Sequence, residues 1–127
     1  EKWMEFAINA KKHADKLSDI VKKEVSNSGK IIAYGASARS STLLNYCGLT
    51  SDHISVVIDK NHLKQGLLTA GSNIPIVSYQ EGVILVKEVD VILLLAWNFK
   101  DEIIDELVAS GYQGKFILPL PGAPKII

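Results

Sequence analysis

Cysteine is almost missing from these 127 residues. Cys47 stands alone, so the chain can form no internal disulfide and no cysteine-based zinc cluster, and this usage fits a reducing cytoplasm. With no histidine or carboxylate beside it in sequence, Cys47 reads as a small buried hydrophobe ahead of a reactive thiol. No sign of charge predominates: 14 Lys plus Arg balance 14 Asp plus Glu, without the concentrated basic footprint of a duplex-binding protein. Nucleic acid is therefore not an expected partner. Long hydrophobic runs are missing too. The longest, Val89 to Trp97, is interrupted by Asp90 and is about half of the roughly 20 residues that span a bilayer, so no membrane segment is expected. His13, His53 and His62 are scattered, with no i, i+4 pair for a metal, and neither a Ser/His/Asp set nor paired carboxylates stand out. The chain reads as a binder without a catalytic or metal site of its own.

What is present suits a packed domain. Hydrophobic residues make up 47% and charged residues 22%, the balance of an ordinary globular fold, and the length fits one domain over residues 1–127. Trp3, Phe6, Ala7, Ala10, Ala14, Leu17, Ile20 and Val21 recur at helical spacing, predicting an amphipathic helix from Trp3 to about Val25. This helix opens without a cap or an initiator Met, which suggests a fragment in which residues 1–28 link to something upstream. The core then spans residues 30–121.

Within that core, Ile31 to Tyr34 reads as a strand, Gly35 to Ala38 as a tight turn, and the next stretch as a helix facing Leu43, Leu44 and Cys47 inward and ending at Gly48. Ile54 to Ile58 supplies a second strand, and a long loop follows from Lys60 to Asn73. Ile74 to Val77 reads as a short strand whose Pro75 favours the sheet edge, and Ser78 with Glu81 matches a capping box that Gly82 weakens. Val91 to Ala96 has the apolar continuity of a central parallel strand. Asn98 with Asp101 resembles another helix cap, Ile103, Ile104, Leu107 and Val108 stripe that helix, and Lys115 to Leu118 forms the last strand before Pro119 and Pro121. Alternation of this kind predicts a Rossmann-like, doubly wound α/β fold: a mostly parallel five-stranded sheet in an order close to 3-2-1-4-5, with an extra N-terminal helix.

Such sheets bind ligands beyond the carboxyl ends of their strands, where Gly35 to Thr42, Asp59 to Gly66 and Ala96 to Phe99 should converge. The first segment offers backbone N–H groups at a helix start, hydroxyls from Ser37, Ser40, Ser41 and Thr42, and the Arg39 guanidinium, all suited to phosphate. It is neither G-x-G-x-x-G nor a P-loop, so phosphate binding and a plain helix-capping turn fit it equally. Asp59, about 24 residues after Gly35, stands where a carboxylate meets ribose in dinucleotide-binding folds, or is simply solvated. Trp97 and Phe99 could stack on a base or sugar, or pack on the core. For Asn98 the helix cap takes precedence over a ligand amide.

Several segments, in this order, resemble a known family: Gly29-Lys-Ile-Ile-Ala-Tyr-Gly35-Ala-Ser-Ala, Thr42-Leu-Leu-Asn-Tyr-Cys-Gly48, Val57-Ile-Asp59-Lys-Asn, Lys64-Gln-Gly66, Ile74-Pro-Ile-Val-Ser78 and Leu95-Ala-Trp97-Asn-Phe99. They are similar to the C-terminal domain of S-adenosylmethionine-dependent sugar C-methyltransferases acting on deoxysugar nucleotides, over about Lys30 to Pro121. The resemblance implies a nucleotide-sugar-binding domain without catalytic residues. An upstream methyltransferase domain would be its partner in the same chain, with S-adenosylmethionine and zinc held in the upstream parts. In that family a proton beside a sugar ketone is removed and the enolate carbon attacks the activated methyl group. Carried over, Gly35, Ala36, Ser37, Ala38, Thr42 and Asn45 would surround the diphosphate, while Asp59, Lys64, Gln65, Trp97, Asn98 and Phe99 would border the ligand; Arg39 joins the candidate contacts on its own chemistry, as a guanidinium suited to phosphate. The chain departs from the family at Arg39-Ser40-Ser41, usually Lys-Gly-Asn, and at His62, usually proline. Two alternatives come from the residues alone: an NAD-type dinucleotide binder, from Gly35 and Asp59, and a docking or dimerisation module, from the long striped helix.

Overall fold

A computed structural model describes residues 2–120 and 122–127, with side chains from Asn9 onward. The expected contributions of Trp3, Phe6 and Ala7 to the apolar stripe, and the stop at Pro121, lie outside the described residues. The elements are α1 (Lys2–Ser28), β1 (Ile31–Tyr34), α2 (Ala38–Cys47), β2 (Ile54–Ile58), β3 (Ile76–Val77), α3 (Tyr79–Leu85), β4 (Val91–Leu94), α4 (Lys100–Ala109), β5 (Lys115–Leu118) and β6 (Lys125–Ile126). Short 3₁₀ turns cover Val86–Glu88 and Trp97–Phe99.

The strands form one sheet in the order β3-β2-β1-β4-β5-β6, parallel from β3 through β5. The order of the first five is the one predicted. The sixth is a correction to the five-stranded expectation: Lys125–Ile126 turns back to pair antiparallel with β5, matching Ile117 to Ile126. Two residues are too few to show a period of 2, so sequence pattern cannot reveal such a strand.

Strand alternation divides the core into two layers. Ile31, Ala33, Val91 and Leu93 face α1 and α2, where Ala14, Leu17, Val21, Leu44 and Cys47 meet them. Ile32, Tyr34, Ile92 and Leu94 face the other side and pack with Val86, Ile103 and Leu107. Both faces are buried, which explains why β1 and β4 read as unbroken apolar runs. The first helix is thus a wall of the core, tied further by the Glu24–Lys115 ion pair at 3.2 Å and by His13 Nε2, 2.6 Å from the Pro119 carbonyl.

The segment from Lys60 to Asn73 is more ordered than a loop. It folds back along β3 through Gly66 N–H to the Ile76 carbonyl, Ile76 N–H to the Leu67 carbonyl, and a bridge between Leu68 and Pro75. An edge strand of two residues is covered in this way. Gly82 also acquires a reason: a Cβ there would lie 2.5 Å from the Ile58 side chain, so α3 needs glycine to approach the sheet. Ser78 caps that helix, its hydroxyl accepting the Glu81 N–H at 3.1 Å.

Candidate functional site

Gly35 leaves β1 with φ +105°, and a Cβ on it would stand 2.8 Å from the Ala96 Cβ. Only glycine lets the β1 turn and the end of β4 approach so closely. Gly35 N–H donates to the Ile58 carbonyl at 2.8 Å, and Ala96 N–H to the Tyr34 carbonyl at 3.0 Å, so three adjacent strands meet at this corner. Above it lies a cavity of about 510 Å³, walled by residues 35–40, by Asp59 and by residues 95–99.

Its polar wall is the start of α2. Ser37 is the N-cap: its hydroxyl accepts the Ser40 N–H at 3.1 Å and lies 3.0 Å from the Ser40 hydroxyl. Ser41 N–H donates to the Ser37 carbonyl. Among the described residues, the amides of Ser37, Ala38 and Arg39 have no acceptor. Three unsatisfied donors and the positive end of the helix dipole therefore face the cavity. Arg39 is exposed and forms no ion pair among the described residues. The opposite wall is aromatic: Trp97 is half-buried against the core, and Phe99 is 53% exposed.

Most of the residues expected at the site meet here, in unequal roles. Gly35, Ala36, Ser37, Ala38, Arg39, Asp59, Trp97, Asn98 and Phe99 all border the cavity. Asp59 is not freely solvated, since Oδ2 accepts the Ala36 N–H and Oδ1 the Asn61 N–H, each at 2.8 Å. Four others lie outside the lining. Thr42 donates to the Ala38 carbonyl at 3.0 Å, and Asn45 to the Ala70 carbonyl at 3.0 Å. Lys64 Nζ donates to the Ala36 carbonyl at 2.7 Å, and Gln65 to the Asp59 carbonyl at 2.9 Å. The cap assigned to Asn98 is corrected: α4 begins after Phe99 with no side-chain cap, because the Trp97–Phe99 turn places Asn98 ahead of the true start. Its exposed amide is left at the cavity.

Ser40, Leu95 and Ala96 also line the cavity, outside the set of residues carried over from the family. Ser40 stood within the hydroxyl run, but nothing in sequence distinguishes its buried position from exposed Ser37. Leu95 was assigned to strand, and it lies instead at the bend after β4. Beneath the site, burial pushes the Tyr34 phenol well above its ordinary range, with the charges of Glu106, Tyr79 and Asp59 adding to the effect. Glu106 in turn pairs with Lys60, whose ammonium lies 4.9 Å from the Tyr79 ring centre. Among the described residues no three His, Cys, Asp or Glu side chains are grouped to hold a metal, and no helix is long and apolar enough to cross a membrane.

Comparison with known proteins places the fold and the family. A solved UDP-D-quinovosamine 4-dehydrogenase from Vibrio fischeri superposes with a TM-score of 0.55 at 22% identity, over 77% of this chain and 92% of that one, a likeness of fold alone. C-methyltransferase NovU from Streptomyces niveus is 37% identical over 128 aligned residues, covering 98% of this chain. The chain spans 29% of that relative's length. Residues 1–121 match the family described as the C-methyltransferase C-terminal domain. On the strength of that match and of NovU, the chain belongs to the C-methyltransferase C-terminal domain family.

Proposed function

We propose that the domain holds the nucleotide-sugar substrate of a S-adenosylmethionine-dependent C-methyltransferase and performs no methyl transfer by itself. The observation that carries this reading is the set of amides at Ser37, Ala38 and Arg39, which have no acceptor among the described residues, beside the Arg39 guanidinium, which forms no ion pair among them. Donors fixed at a helix start suit the oxygens of a diphosphate, and Arg39 adds a bidentate partner. Trp97 and Phe99 supply apolar faces for a ring at the far side of the same cavity. In this reading the cofactor, zinc and catalytic base belong to the preceding part of the enzyme, and the compartment is the cytoplasm.

Calorimetric titration of the chain with thymidine diphosphate and a thymidine-diphosphate deoxysugar tests the assignment, with NADH and S-adenosylmethionine as controls. Saturable binding of the thymidine ligands, lost in Arg39→Ala, is the expected result. Failure of both to bind at millimolar concentration would remove the reading.

The dinucleotide alternative draws on the dehydrogenase-like fold, but Asp59 argues against it. Both of its carboxylate oxygens already accept backbone N–H groups, which leaves the carboxylate poorly placed to take a pair of ribose hydroxyls. The docking alternative rested on the stripe of α1, and Ala14, Leu17 and Val21 of that stripe are buried against this chain's own core.

A further inference from the structure

We propose that Asp59 and Lys64 are positioning residues that act through Ala36, fixing the two peptide groups that lead into α2 and thereby setting the anion affinity of the Ser37–Arg39 amides. The inference rests on the anion-binding reading of the cavity. Ala36 is gripped from both sides: its N–H donates to Asp59 Oδ2 at 2.8 Å, and its carbonyl accepts from Lys64 Nζ at 2.7 Å. Both bonds are charge-assisted, the stronger class of hydrogen bond. Ala36 itself is buried, and Lys64 does not border the cavity, so the ammonium reaches the ligand site only through that carbonyl.

The clamp is built into the folded-back segment after β2. Asn61 N–H donates to Asp59 Oδ1 at 2.8 Å, and Gln65 Nε2 to the Asp59 carbonyl at 2.9 Å, so residues 59–65 hold the two gripping groups in one frame. Without Lys64, the Ala36 carbonyl would be free to turn towards the cavity and set a partial negative charge beside the bound anion. Without the Asp59 acceptor, the preceding peptide would lose its orientation. Either change misaligns amides that bind only as a set. Lys64 and Asp59 thus shape the anion site without needing to touch its occupant.

The test follows the amide resonances of Ser37, Ala38 and Arg39 during titration with inorganic pyrophosphate, then with a thymidine-diphosphate deoxysugar. Wild type should show saturable shifts at these amides. Lys64→Met and Asp59→Asn should weaken pyrophosphate about tenfold or more, and Lys64→Arg, which keeps the donor and charge, should restore most of the affinity. The deficit of Lys64→Met should persist at high salt, where a long-range charge effect is screened. If Asp59→Asn fails to fold, the two Lys64 variants still decide. Unchanged affinity in Lys64→Met, no rescue by arginine, a deficit that vanishes in salt, or no pyrophosphate shifts in wild type would each overturn the clamp. Pyrophosphate binding with no gain from the nucleotide sugar would leave the clamp standing and remove the substrate reading.

Discussion

At Gly35 a single hydrogen separates a working corner from a collision. The residue combines φ +105° with an Ala96 backbone nitrogen 2.9 Å from where a Cβ would sit. Gly35→Ala adds backbone strain and overpacking together, so a loss on the order of 2 to 4 kcal/mol is expected in urea denaturation. A loss under about 0.5 kcal/mol, the scale of an ordinary surface change, would show that β1 and β4 are not held so closely. Cys47 makes the second case. Burial, aided by the nearby Asp15 charge, pushes its thiol up to about 11. The unfolded thiol keeps its ordinary value near 9, so both states hold the proton below that pH and stability is unaffected. Between about pH 9 and 11 the unfolded chain releases its proton first, and stability should fall by an amount on the order of 2 kcal/mol. The buried phenols of Tyr34 and Tyr112 pull the same way at higher pH. Denaturation of Cys47→Ala should therefore lack the decline between about pH 9 and 10; a slope equal to wild type there would assign the loss to other groups.

Elements reveal which signals sequence carries and which it hides. The strands β1 and β4 were legible because burial on both faces leaves only apolar residues, and α2 because Gly48, at φ +68°, closes it as a left-handed glycine does. Asn98 misled for a local reason: a 3₁₀ turn inserted before α4 displaces the helix start, and Asn98 with Asp101 carries the cap spacing without the geometry. The cavity's location followed from strand order, but the division between lining and bracing did not. Lys64 and Asn45 are polar residues near the site by any pattern, and only their hydrogen bonds show that one grips Ala36 and the other holds Ala70. The helix α1, expected to link upstream, also packs its described apolar stripe on the core. Leu17 is fully buried, and Leu17→Ala should cost about 2 to 5 kcal/mol in chemical denaturation. A cost below about 1 kcal/mol would mean that the helix contributes little to the stability of the domain.

On the scale of the whole molecule, the site is a cavity whose two walls carry exposed residues. Ser37, Ala38, Arg39 and Asn98 are exposed, Phe99 is 53% exposed, and all of them border the same cavity. Sites that hold small molecules tightly usually bury about 70–90% of the ligand, and a surface this open can enclose only part of a nucleotide sugar. The chain also spans only 29% of the length of NovU, so in a protein of that length there is room for a further wall. On the proposed substrate role, a protein of NovU's length that carries this domain should bind a thymidine-diphosphate deoxysugar at least about tenfold more tightly than the 127-residue chain, equivalent to about 1.4 kcal/mol. Inorganic pyrophosphate, seated wholly on the α2 amides, should gain little from the added segment. The pair of ligands separates two causes of the gain. A general stiffening of the domain would strengthen both, while a further wall strengthens only the ligand that extends beyond the helix start. Equal deoxysugar affinity in the two proteins would mean that residues 35–40 and 95–99 already complete the site.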